Sequence, residues 1–193
     1  MGIDISINTD IDDKVFSADY IDPEDVYFHT HSLSHTFCNF ISRRDVVDCE
    51  PELDQIGQLT SVDISLFYQM EAYGSVSDEE LEFFFETAQS EEERKNILNQ
   101  AQQNKDNPKG NITHILTTIS TLIDKLSKIE SLPLLLNDCG YDTLNSKEYF
   151  SDFSIDKGDG YIGNNLGQDL RNFKKFVEYA KDKGATIVYF NYG

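Results

Sequence analysis

Three of the four histidines fall within seven residues, at His29, His31 and His35, and Cys38 follows close behind. Imidazole nitrogen and thiolate sulfur are ligands that zinc prefers, so metal chemistry is sought here first. Residues 30–42 fit a short helix with Leu33, Phe37, Phe40 and Ile41 on one face. At about 100° per residue, His31, His35 and Cys38 fall within roughly 60° of one another. The apolar face is centred more than about 100° away, so these three side chains are expected off the core. A tetrahedral site needs a fourth ligand, and His29 precedes the helix on another heading. The plainer reading is a polar helix flank packed beneath a neighbouring loop. It takes precedence, and no cofactor is assigned.

Other signatures of chemistry fail on inspection. His29-Thr-His31 has the His-x-His form of metal-dependent phosphoesterases and amidohydrolases, but those sites need further histidines and only His114 remains. A metal-dependent hydrolase built on His29, His31 and His35 is kept as the enzymatic alternative. Asp156-Lys-Gly-Asp-Gly-Tyr-Ile162 looks like a calcium loop until its register is set on Asp159-Gly160. The ligand positions then fall on Ile155, Lys157 and Leu166, which cannot serve. No phosphate-binding glycine loop, nucleophile elbow or cysteine-protease signature occurs. The chain is not expected to be an enzyme.

Charge is the other lead. The net charge is −19, distributed as −10 over residues 1–60, −7 over 61–105 and only −2 over 106–193. Asp45, Asp48, Glu50, Glu52 and Asp54 crowd around Pro51, which is read as an exposed, non-helical segment. Asp78, Glu79, Glu80, Glu82 and Glu86 follow on a helix, and Glu91 to Glu93 extend the run. Such runs are most simply solvated surface. Their density nevertheless opposes folding by self-repulsion, which solubility or a basic partner would offset. Tyr68, Tyr73 and Phe83 to Phe85 lie between the acidic stretches and are candidate aromatic anchors, with core packing as their ordinary role. Arg171, Lys174, Lys175, Lys181 and Lys183 are interleaved with Asp169, Glu178 and Asp182, so they read as a salt-bridged face and not as a nucleic-acid site.

The elements that would position these residues can be read in outline. Ile3, Ile5 and Ile7 alternate with polar residues as in a half-buried strand, and residues 185–192 read as a closing strand after Gly184. Residues 10–25 are expected to be a surface loop. Residues 55–70 show helical spacing weakened by Gly57, and Ser77-Asp-Glu-Glu80 is a capping box opening an acidic helix. Residues 104–110 are a break. The clearest helical stripe runs from Ile112 to Ile129 and is expected to end at Pro133. Leu166 to Ala180 form the last helix. The expectation is an α+β fold: a mainly helical single domain over 1–193, with a small sheet formed by the N- and C-terminal strands. It divides into an acidic half, 1–105, and a near-neutral scaffold half, 106–193.

Bulk properties narrow the setting. Twenty-three Phe and Tyr residues speak against a disordered acidic chain. No apolar run is long enough to span a membrane, and the first residues do not read as a signal peptide. Cys38, Cys49 and Cys139 are odd in number and widely spaced, which argues against a disulfide framework and for a reducing cytoplasm.

Glu50-Pro-Glu-Leu-Asp-Gln-Ile-Gly57, Val62-Asp-Ile-Ser65, Gly167-Gln-Asp-Leu-Arg-Asn-Phe173, Lys183-Gly-Ala-Thr186 and Phe190-Asn-Tyr-Gly193 resemble a small family of acidic bacterial proteins with no assigned activity. That resemblance implies no catalytic residue. In size and composition the chain is similar to immunity proteins of toxin systems. The expected function is that of an acidic cytoplasmic binding protein, an immunity protein neutralising a basic bacterial toxin or effector. It would act without nucleic acid or membrane, through Asp45, Asp48, Glu50, Glu52, Asp54, Tyr68, Tyr73, Asp78, Glu79, Glu82 and Glu86. A nucleic-acid mimic that inhibits defence machinery is the alternative with the same charge logic.

Overall fold

The alternation at Ile5 and Ile7 does form a strand, and it meets the far end of the chain. In a computed structural model describing residues 5–16, 33–74, 78–137, 139, 146–155 and 165–192, β1 (Ile5–Thr9) pairs antiparallel with β2 (Val188–Tyr192). The register runs from Ile5 opposite Tyr192 to Thr9 opposite Val188. Ile5, Ile7, Val188 and Phe190 are buried while Ser6 is exposed, as a period of two requires.

Two strands alone are marginal, and side chains reinforce this pair. The Asn111 amide donates to the Val188 carbonyl at 2.8 Å and accepts the Val188 N–H at 2.9 Å, standing in for a third strand. Asp10 accepts from the Thr186 N–H at 3.0 Å, the Thr186 hydroxyl at 2.6 Å and the Ile187 N–H at 3.1 Å.

Helices make up most of the rest. They are α1 (Asp12–Phe16), α2 (His35–Ile41) with a 3-10 turn at Ser42–Asp45, α3 (Glu52–Thr60), α4 (Ser65–Gly74), α5 (Asp78–Thr87) and α6 (Glu91–Asp106). After these come α7 (Ile112–Leu126), α8 (Leu132–Leu135), α9 (Ser146–Tyr149) and α10 (Leu166–Asp182). The fold is α+β and mainly helical, with its small sheet built from the N- and C-terminal strands. One buried cluster runs through it, and β2 packs on α4 while α7 packs on α10. Phe173 stands at the centre, its ring centroid 5.6 Å from Phe190, 5.9 Å from Phe67 and 6.0 Å from Phe37.

Several boundaries differ from the sequence expectation. The stretch after Asp10 opens with α1, because Asp12 accepts from the Thr9 N–H and hydroxyl and Val15 is buried. Residues 55–70 are two helices. Ser61 caps α3 in the left-handed region, φ 52°, and the chain turns back through Val62 and Ile64. Gly57 permits that turn: a Cβ there would sit 3.0 Å from Ile64 Cγ1 and 3.3 Å from the Val62 carbonyl.

Pro51 is buried and caps α3. Helix α7 ends at Leu126, well before Pro133, which belongs to the first turn of α8. The capping box at Ser77 lies outside the described residues, but Ser90 caps α6, accepting the Glu93 N–H at 3.1 Å while the Glu93 carboxylate accepts the Gln89 N–H at 2.8 Å.

Candidate functional site

The histidine segment does not assemble a ligand set among the described residues. His29 and His31 lie outside them, and His35 is exposed at the first position of α2. Cys38 is buried in the core, and its Sγ accepts the Ile5 N–H at 3.1 Å, which corrects the expectation that it lies off the apolar face. The cause is β1, whose Ile5 backbone lies against Cys38 and extends the covered face of α2 to that side. Among the described residues no group of three or more His, Cys, Asp or Glu could hold a metal ion.

The acidic run around Pro51 separates into two kinds of residue. Glu52 is fully buried and pairs with Arg43 at 2.9 Å, Arg43 itself being only 3% exposed. It is therefore a structural carboxylate and not a partner contact, contrary to expectation. Asp48 and Glu50 are exposed.

Asp54 accepts from the Tyr68 hydroxyl at 2.9 Å, and the Arg44 guanidinium lies 4.4 Å from the centre of the Tyr68 ring. Burial raises the Tyr68 phenol well above its ordinary value, the bond to Asp54 adds to this, and Arg44 opposes it. These residues line a shallow groove of about 530 Å³ with Gln58, Val62, Asp63 and Ser65. The Asp63 carboxyl is held below the usual range by the Ser65 N–H. Tyr68 is bonded to Asp54, Gln58 to Glu50 and the Ser65 N–H to Asp63, so much of the groove's polar lining is tied within the protein.

Beside the groove, Gln55 staples two distant segments. Its amide donates to the Glu50 carbonyl at 2.8 Å and the Asn137 carbonyl at 3.0 Å, and accepts the Asn137 N–H at 2.7 Å. Cys49 and Cys139 are joined by a disulfide at this junction, with Cα atoms 5.9 Å apart. This runs against the expectation of no disulfide framework, and removes the cysteine argument for a reducing compartment. No helix among the described residues is long and apolar enough to cross a membrane.

A second cluster is buried. Asp169 in the first turn of α10 accepts from the Ser34 N–H at 2.9 Å, the Ser34 hydroxyl at 2.6 Å and the Tyr149 hydroxyl at 2.9 Å. Burial, and then the Asp169 charge, hold the Tyr149 phenol well above its ordinary value. A carboxylate with these donors, shut off from water, ties α2, α9 and α10 together.

The remaining feature is α5 with α6. Phe83, Phe84 and Phe85 are 62%, 49% and 37% exposed, whereas Phe37, Phe40, Phe67, Phe150, Phe173 and Phe190 are buried. Three successive residues on a helix span about 200°, so one neighbouring helix cannot cover them all. Leu81 and Ala88 are half-buried and Arg94 of α6 lies 5.5 Å from the Phe85 ring, which marks the covered side. Phe83 and Phe84 form an edge-to-face pair, centroids 6.0 Å apart, on the other flank. Exposed Glu82 and Glu86 run beside it, and exposed Glu91, Glu92 and Glu93 start the next helix.

Within α6 only Ala101 is buried, so this pair of helices shares little of the core. The side chains of Asp45, Tyr73, Asp78 and Glu79 lie outside the described residues.

Comparison with family models, curated proteins and solved structures finds no match. The resemblance carried by residues 50–57 and 167–173 thus brings no activity with it. The same residues have structural work to do: Glu52, Gln55 and Gly57 set α3, and Asp169 sets α10. Among the described residues, exposed aromatic and acidic side chains lie together between Glu82 and Glu93.

Proposed function

We propose that the protein is an acidic binding protein that inhibits a basic protein partner, in the manner of an immunity protein neutralising a toxin. The observation that supports it is the exposed Phe83–Phe84 pair set among exposed Glu82, Glu86 and Glu91–Glu93. Exposed aromatic surface rimmed by charge is the composition of a protein interface, with aromatic anchors for affinity and charge for association rate and partner choice. The negative field of residues 1–105 selects basic surfaces and repels bare nucleic acid.

The test is to capture partners from extracts of the native organism with the purified chain at low salt, then to express the captured protein alone and together with this one. A basic partner that arrests growth alone and is silenced on co-expression is the expected result. Capture of only neutral or acidic proteins, or a partner whose activity is unchanged by the chain, would overturn the reading.

A further inference from the structure

Resting on that reading, we infer that the Phe83–Phe84 flank of α5 is the docking face, and that its occupant is a cationic amphipathic helix of the partner. The helical wheel sets the geometry. At about 100° per residue Leu81, Phe85 and Ala88 share one side, Phe83 and Phe84 flank Thr87 on the other, and Glu82 and Glu86 lie between Phe83 and the Phe85 side. The Thr87 hydroxyl is turned onto its own helix, donating to the Phe83 carbonyl at 3.0 Å, so the strip between the rings is apolar. An apolar ridge with a parallel row of carboxylates is the complement of a helix with apolar i, i+3 and i+4 residues and lysines or arginines on one border.

Charge decides between occupants. A second copy would bring the same acids against themselves, Glu82 and Glu86 meeting Glu82 and Glu86, and like charges across an interface are repelled. A cationic helix meets both the rings and the carboxylates favourably. The exposed aromatic area of Phe83 and Phe84, on the order of 200 Å², suits a helix of two or three turns and not a whole domain face.

The test uses the whole protein and two synthetic 18-residue peptides of identical Leu and Lys composition. One is patterned as an amphipathic helix and the other is scrambled so that its charges and leucines mix on every face. Fluorescence anisotropy is expected to show the patterned peptide binding at least tenfold tighter. Phe83→Ser with Phe84→Ser is expected to abolish that preference with only a small loss of thermal stability, because Phe83 is mostly and Phe84 about half exposed. Glu82→Gln with Glu86→Gln is expected to weaken both peptides and to flatten the salt dependence while keeping the preference.

Equal binding of the two peptides, or a preference unchanged in the double Phe variant, would overturn the inference. So would a dimer at micromolar concentration that the Phe variant renders monomeric. If a captured basic partner binds the Phe variant undiminished, the docking face is wrong and the inhibitor reading stands. If the peptides behave as expected and no basic partner exists, the reverse holds.

Discussion

Asp10 shows how an acidic residue can serve the fold in a chain whose acids mostly repel one another. Partial burial disfavours its charge, but the Thr186 hydroxyl and the N–H groups of Ile187 and Thr186 outweigh that and hold its carboxyl below the ordinary value. A lowered folded value means a contribution that is present above the unfolded pKa, near 4, and is lost as the pH falls through the folded one. Asp10→Asn keeps one acceptor and removes the charge, so it is expected to cost about 1 kcal/mol at pH 7, the group being largely solvent-exposed. In a protein of this size that lowers Tm by roughly 2–4 °C. Thermal melts of both proteins from pH 7 to pH 2.5 should converge at the acid end. A gap that persists unchanged at pH 2.5 would show that the carboxylate charge is not what ties β2 down. Glu52 makes the contrasting case, since its sequence neighbours Glu50 and Asp54 reach the surface while it pairs with Arg43 inside.

At the scale of elements, α10 and the turn that precedes it fit with no room to spare. A Cβ at Gly167 would lie 1.9 Å from the Phe153 carbonyl oxygen, a backbone atom that cannot swing aside. The same turn is held by Asn165 donating to the Asp152 carbonyl at 2.6 Å and by Arg171 donating to the Phe153 and Ile155 carbonyls at 3.0 and 2.9 Å. Gly167→Ala must therefore push the turn off the helix, and a loss of about 3 kcal/mol or more is expected. Lys175→Ala, on the exposed side of α10, should stay within about 0.5 kcal/mol. Urea midpoints of the two variants check the pair, and a mild Gly167→Ala would mean the turn is free to move.

Local periodicity made α7, α10 and both strands legible in the sequence, because Ile112 to Leu126 and Leu166 to Ala180 repeat at helical spacing with nothing to contradict them. The buried position of Cys38, the Arg43–Glu52 pair and the Cys49–Cys139 bond were not legible. Each depends on which distant segment packs there, and no local pattern carries that. The exposed face of α5 lies between: three successive phenylalanines cannot all enter a core from one helix, so the sequence held the signal that some face outward.

Across the whole molecule, both halves share one core but the charge is unevenly divided. The near-neutral half supplies α7, α10 and β2, with Phe173 and Phe190 at the centre of the core, while the first 105 residues carry −17 of the −19. Self-repulsion within that half opposes folding at pH 7, and the screening length falls from about 30 Å at 0.01 M salt to about 3 Å at 1 M. Sodium chloride, which avoids the strong exclusion effects of sulfate, is therefore expected to stabilise the free protein. A gain of about 1 kcal/mol, or roughly 2–4 °C in Tm, is the anticipated size between 20 and 500 mM. Attraction to a basic partner must respond in the opposite sense, weakening over the same range. Opposite responses to one variable separate a charge that merely solubilises from one that recruits, since solubility alone predicts the first effect without the second. Differential scanning calorimetry of the free chain alongside titration calorimetry with the captured partner measures both, and a Tm independent of salt would mean that the acids are too far apart to repel one another in the folded state.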